Sequence, residues 1–145
     1  MNRQHLIVWI GLAFFHLAFK PITLTWERLT DVWFEDKYST EVEAYYYYPH
    51  FGKSVKEMDG KEVQITGYML PIDPAKGIYI LSRYPYSACF FCGNSGPESI
   101  IEPDFKGTHR KFRNDEVVTL KGILKLNQDD MYKSNYLLEE AVEVR

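Results

Sequence analysis

Both cysteines of the chain stand in one short stretch, Pro85-Tyr86-Ser87-Ala88-Cys89-Phe90-Phe91-Cys92-Gly93-Asn94-Ser95-Gly96-Pro97-Glu98. A Cys-x-x-Cys pair can chelate a soft metal ion with two thiolates, or it can close a tight, reducible disulfide. Both outcomes need a sharp backbone turn, and the glycines permit one. Zinc is the first ion such a pair suggests, because it accepts thiolate and imidazole in a tetrahedron. Two more ligands are then required. His109 is the better candidate for the third, and His50 or Glu98 could complete the set. The competing readings are plain. His109, in Gly107-Thr-His-Arg-Lys111, reads equally as an exposed loop histidine, and Glu98 as a turn residue after Pro97. In an oxidising compartment Cys89 and Cys92 would pair as a disulfide instead. They could also be inert thiols behind Phe90 and Phe91. The residues alone leave these alternatives open.

Enzyme chemistry finds little support. The chain has no Gly-x-Ser-x-Gly elbow, no His-Glu-x-x-His helix and no phosphate loop. A nucleophile built from Cys89 and His109 would lack a third, orienting group. No catalytic residue is therefore assigned.

The compartment bears on the thiols. Arg3 precedes an apolar run, Leu6 to Phe19, broken only by His16. The run is shorter than the ~20 residues of a membrane span and suits the apolar core of a secretory signal. Residues 1–20 are read as a signal peptide or N-terminal anchor, with the mature start between Phe19 and Trp26. The protein is then periplasmic or otherwise exported, with no membrane span in its mature form. The net charge of −3 argues against nucleic acid and against an anionic membrane surface. Two cysteines are too few for a disulfide-stapled scaffold.

The elements that would position the thiols read as strands. Thr25 precedes a short helical turn, Trp26 to Leu29, and Val32 to Tyr38 looks extended. Glu41 to Tyr48 ends in four consecutive tyrosines, whose rings are expected to pack across the core or cover a barrel end. The other reading of that run is a stacking surface for a sugar or a peptide. Ser54 to Met58 is a short helix or turn. From Lys61 on, Val63, Ile65, Gly67 and Met69 alternate with polar residues, as in a half-buried strand. Further strands are expected at Ile78–Ser82, Ser99–Glu102, Glu116–Lys125 and Tyr136–Val144. Gly67 and Gly122 lie inside strands, where a tightly coiled barrel needs bends or bulges. Five such strands predict an all-β chain with short helices, built as a small OB-like antiparallel Greek-key barrel. Residues 21–60 are read as an aromatic N-terminal extension packing on a barrel of residues 61–145. Val63, Ile65, Ile78, Ile80, Val118, Leu120 and Leu137 are the expected core.

The ordered set Gly60-Lys61-x-Val63-x-Ile65-x-Gly67-Tyr68, Tyr79-Ile-Leu-Ser82, Pro85-Tyr86-Ser87-Ala88-Cys89-Phe90-Phe91-Cys92-Gly93 and Gly96-Pro97-Glu98-Ser99 resembles small exported Bacteroidetes-type proteins of uncharacterised function. The resemblance spans Thr25 to Val144. More distantly, the chain is similar to a proteobacterial exported family of unknown function, which carries a Pro-Tyr-x-x-Cys segment and a proline-rich loop after an OB-like strand pair. In that family the second soft ligand is a histidine two residues after the cysteine; here that position is Phe91, with Cys92 next. The resemblance implies a link to envelope metal handling or transport. The expected role is an exported metal-binding or metal-delivery accessory of the cell envelope. Cys89, Cys92, His109 and Glu98 would be ligands of zinc, and an envelope transport or metal-handling protein would be the partner. The alternatives are a non-enzymatic interaction module held by a Cys89–Cys92 disulfide, and a thiol redox protein.

Overall fold

In the computed structural model of the chain, residues 20–93 and 95–144 are described. The leader segment read from the sequence lies outside them. The described chain runs β1 (Ile22–Thr23), α1 (Trp26–Leu29), β2 (Val32–Ser39), β3 (Ala44–Phe51), α2 (Lys53–Lys56), β4 (Glu62–Asp73), β5 (Ile78–Ser82), β6 (Ile100–Phe105), β7 (Glu116–Leu126) and β8 (Tyr136–Val144). The strands from β4 onward pair in the order β4-β5-β6-β8-β7, and β7 returns to β4, which closes a five-stranded barrel. This is the OB-type arrangement expected from the strand spacing. Four of the barrel pairings are antiparallel, while β6 and β8 run parallel. The short β1 adds to β4 in parallel, through Ile22 and Thr23 beside Val63 and Gln64.

Two glycines let the barrel close. Gly67 is paired with Val118 across β4 and β7. A Cβ there would stand 2.6 Å from the Ser82 carbonyl oxygen and 2.9 Å from the Trp26 ring. Trp26 lies over this bare strip and donates its indole N–H to the Thr66 carbonyl at 2.7 Å. Gly122 sits where the β7–β8 register shifts. A Cβ at Gly122 would come within 2.6 Å of the Glu139 carbonyl oxygen. Glu140, opposite this irregularity, takes a left-handed conformation with φ 51°. The mid-strand glycines thus mark close strand approaches and a bulge, as barrel curvature requires.

Inside the barrel, Val63, Ile65, Met69, Tyr79, Leu81, Ile101, Val118, Leu120, Leu124, Tyr136 and Leu138 form one buried cluster. Leu24, Leu29, Phe51, Val55 and Met58, from the first third of the chain, join it. Tyr136 ties the two parts by donating its hydroxyl to the Leu29 carbonyl at 2.7 Å, in a buried position. Val63, Ile65, Val118 and Leu120 are core, as expected. Three expected core residues are not in it. Ile78 is exposed, Leu137 is half-buried, and Ile80 is buried on the outer face. Each strand places its neighbours inward instead: Tyr79 and Leu81 from β5, Tyr136 and Leu138 from β8. The reason is visible in the residues. Ile78-Tyr79-Ile80-Leu81 is apolar on both faces, so period-2 alternation carries no polar marker of the outward side.

The tyrosine run behaves differently from the reading that places it against the barrel core or end. β2 and β3 form a two-stranded hairpin of their own, in register from Val32–Phe51 to Ser39–Ala44. Tyr45 and Tyr47 are exposed, and Tyr46 and Tyr48 half-buried. The base of the hairpin reaches the core, through Val32 and through Phe51, whose ring lies against Tyr136. The rings instead pack along the hairpin itself. Trp33 stacks on His50 with centroids 3.8 Å apart, and the Lys37 ammonium sits 3.1 Å over the Tyr48 ring. Such same-face pairs are how an isolated hairpin gains stability.

Candidate functional site: the cysteine loop and the groove beside it

The segment between β5 and β6 turns twice in 3-10 geometry, at Tyr86–Ala88 and Phe90–Cys92, and Gly93 ends the second turn with φ 73°. Backbone bonds from Cys92 N–H to the Cys89 carbonyl and from Gly93 N–H to that of Phe90 hold the second turn. The loop is moored at its start by Asp115, whose carboxylate accepts the Tyr86 N–H at 2.7 Å. Asp115 in turn donates its own N–H to the Met69 carbonyl. At the far end Ser99 donates its hydroxyl to the Gly96 carbonyl at 2.7 Å. The loop is therefore fixed on both sides.

The two thiols are free and differ sharply in surroundings. Cys89 is fully buried with Leu70, Ile80 and Ile100, and Phe90 packs against this small cluster. The cluster lies on the outer face of β4, β5 and β6. Cys92 is exposed and donates its S–H to the Tyr86 carbonyl at 2.9 Å. Desolvation, then the hydrogen bond with Cys89 and the charge of Cys89, pushes the Cys92 thiol above its ordinary pKa. Cys89 thus disfavours the Cys92 thiolate.

The other residues singled out in the sequence lie elsewhere. His109 packs by ring contact with Phe105, Phe112 and Tyr79, and its Nδ1 bonds the Arg110 carbonyl at 2.8 Å. His50 sits in the hairpin, stacked on Trp33, with Nε2 2.8 Å from the Glu35 carboxylate. The Glu98 carboxylate folds back over Gly96, into the space a side chain there would need, and its charge is felt at Tyr136. Among the described residues no group of three or more histidine, cysteine, aspartate or glutamate side chains converges as a metal site would require. The structure brings Cys89 and Cys92 together and leaves His109, His50 and Glu98 to separate local tasks.

Sequence reasoning missed the groove beside the loop. A depression of about 490 Å³ lies over the outer face of the barrel. Ile72, Ile78, Ile80 and Ile100 line it from the strands, and Phe90, Phe91 and Pro97 from the cysteine loop. The connection between β7 and β8 supplies Gln128 and the residues from Asp130 to Asn135, and the hairpin supplies Tyr46 and Tyr47. The hairpin is held to that connection by Gln128, which donates to the Pro49 carbonyl at 2.9 Å, and by Tyr132, whose hydroxyl donates to Glu41 at 3.0 Å. Ile72, Ile78, Phe91, Tyr47 and Tyr132 all remain exposed. Two sequence signals bore on it: the apolar excess of Ile78 to Leu81, which has more apolar residues than one core face can use, and the tyrosine run in its alternative reading as a stacking surface, since Tyr46 and Tyr47 line the groove.

With this geometry in view, the fold finds a counterpart. A crystal structure of a DUF3299-family protein from Pseudomonas aeruginosa PAO1 superposes with a TM-score of 0.53 at 17% identity. The match covers 87% of this chain and 97% of that one. At that identity the likeness concerns the fold. It agrees with the distant proteobacterial similarity read from the sequence. No protein-family model matches the chain, and neither does a curated protein. Among the described residues no helix is long and apolar enough to cross a membrane.

Proposed function

We propose that the protein is an exported, non-enzymatic interaction module of the cell envelope, whose binding face is the outer side of β4, β5 and β6. The observation that supports this most is the groove. Contiguous exposed apolar and aromatic side chains on a small domain mark an interaction surface. Here they come from six separate segments that the fold gathers in one place. The cysteine loop forms one of its walls, and a Cys89–Cys92 disulfide in an oxidising envelope would fasten that wall. A screen of small aromatic and amphipathic fragments by protein-observed NMR tests the reading. Shifts should concentrate on Ile72, Ile78, Phe91 and Tyr132. Shifts confined to the opposite side, around Val117 and Lys121, would reject it.

The metal-delivery role retains one specific support, the adjacency of two free thiols, one of them exposed. Two thiolates without a third ligand suit a soft monovalent ion better than tetrahedral zinc. A low-coordinate ion would pass readily to a transport or metal-handling partner. Titration of the reduced protein with silver(I) and with zinc(II), scored by protection of both thiols from alkylation, separates the cases. One silver(I) per chain with no zinc retained supports the two-thiolate site. Protection by neither ion ends the metal role. The redox alternative gains no support: Cys89 is fully buried, and the exposed Cys92 thiol is pushed above its ordinary pKa, which lowers its thiolate fraction.

A further inference from the structure

We infer that the groove is a saccharide site, taking a neutral, hydroxyl-rich oligosaccharide; the inference rests on the reading of this face as the binding face. The lining is two-sided in chemistry. Strands and cysteine loop offer aliphatic and aromatic carbon: Ile72, Ile78 and Phe91, each between 44% and 49% exposed. The β7–β8 connection offers amide, hydroxyl and carboxylate groups, from Gln128, Asp130, Ser134 and Asn135. A pyranose ring is itself two-sided, with C–H groups on its faces and hydroxyls around its edge. Such a ring can lie on Tyr132 or Tyr47 and turn its hydroxyls to the polar loop. These two tyrosines are 70% and 54% exposed, so neither ring is held in the core.

Charge narrows the choice of ligand. Glu102 and Asp130 face the groove against a single cation, Lys133. A phosphodiester chain needs the reverse balance. An uncharged ligand meets no such penalty. The place in the fold agrees: the second and third barrel strands, β5 and β6, and the connection between the fourth and fifth form the face on which OB barrels take oligonucleotides or oligosaccharides. The charge removes the first of these. The polar side is also prebuilt. Asn127 donates to the carbonyls of Asp130 and Ser134 and accepts the Asp130 N–H, and Glu102 accepts the Ser134 N–H at 3.0 Å. A loop already ordered loses less entropy when a ligand arrives.

Isotope-labelled protein from the envelope, titrated with cellotetraose, tests the inference. Saturable shifts are expected at Ile72, Ile78, Phe91 and Tyr132. Affinity should fall about tenfold in Tyr132→Ala, which removes a stacking ring, and should be lost in Ile78→Glu. Val117→Ala, on β7, should leave it unchanged. Absence of saturable shifts, or shifts that survive both groove variants, would overturn the inference. So would binding of an oligothymidylate at the same residues. Acetyl-Phe-Ile-Tyr-amide is titrated in parallel. If it perturbs the groove and cellotetraose does not, the saccharide assignment falls and the binding face stands. If neither does, both fall.

Discussion

The same three strands carry apolar residues on two faces, and the two faces are sealed in different ways. Inside, Tyr79, Leu81 and Ile101 are covered by the opposite wall of the barrel, and bare glycine strips bring the strands within reach. Outside, Leu70, Ile80 and Ile100 cluster with Cys89, with Phe90 packed against them, and Ile72 and Ile78 are left open. The inner seal is made of strands that the whole ladder holds in place. The outer seal is one loop of 3-10 turns. The contrast teaches that apolar content alone does not separate folding surface from binding surface; what covers it does.

The largest effect should come from the inner seal. Gly67→Val drives a branched side chain into the Ser82 backbone and the Trp26 ring, neither of which can move freely. A loss of about 3 kcal/mol or more is expected in urea denaturation, at the high end for overpacking. A loss below about 1 kcal/mol would mean that the strand approach at Gly67 is not a closing contact.

Leu81 and Ile80 are sequence neighbours on opposite faces, which makes them a direct probe of the contrast. Leu81→Ala should cost about 3 kcal/mol, because a rigid barrel cannot collapse around the cavity. Ile80→Ala should cost about half as much, since the cysteine loop can settle inward. It should also speed alkylation of Cys89 more than Leu81→Ala does. Equal costs and equal alkylation rates would make the outer cluster a second core and weaken its reading as a binding surface.

The next effect depends on pH. Arg110 bonds both Glu116 and Glu143, at 2.7 Å and 2.6 Å, and its guanidinium lies over the Phe112 ring. The Arg110 side chain, then the Arg113 N–H, holds the Glu116 carboxyl at about 2, below its ordinary 4.5. A depressed carboxyl pKa adds stability above the unfolded-state value, and that stability is lost as pH falls through the folded value. Denaturation midpoints should therefore drop between about pH 4.5 and pH 2, and Glu116→Gln should flatten that slope. An unchanged slope in the variant would assign the acid sensitivity to other groups, such as Asp31, whose carboxyl is also held low, by Ser54.

The smallest effect concerns the hairpin. Tyr45 is 73% exposed, and its ring meets Tyr38 edge-on rather than the core. Tyr45→Ala should change stability by no more than about 0.5 kcal/mol in the same urea assay. A loss of several kcal/mol would show that the hairpin stabilises the barrel as well as standing beside the groove.

By itself the sequence determined the barrel strands, the turns between them, the short helix at Trp26–Leu29 and the mid-strand glycines. These follow from period-2 patterning and from residues whose backbone preferences are local. It also placed both cysteines in one tight turn, because they stand only three positions apart. It did not determine which face of β5 is inside, since both faces are apolar there. It did not place His109, His50 or Glu98, because each is drawn by a partner distant in sequence or by local packing: Tyr79, Trp33 and Gly96. Only the tertiary structure put the tyrosine run in a hairpin of its own, outside the barrel core, and only it assembled the groove. That surface takes residues from β3, β4, β5, the cysteine loop, β6 and the β7–β8 connection. No single segment carries its pattern, so it exists only once long-range pairing has brought them side by side.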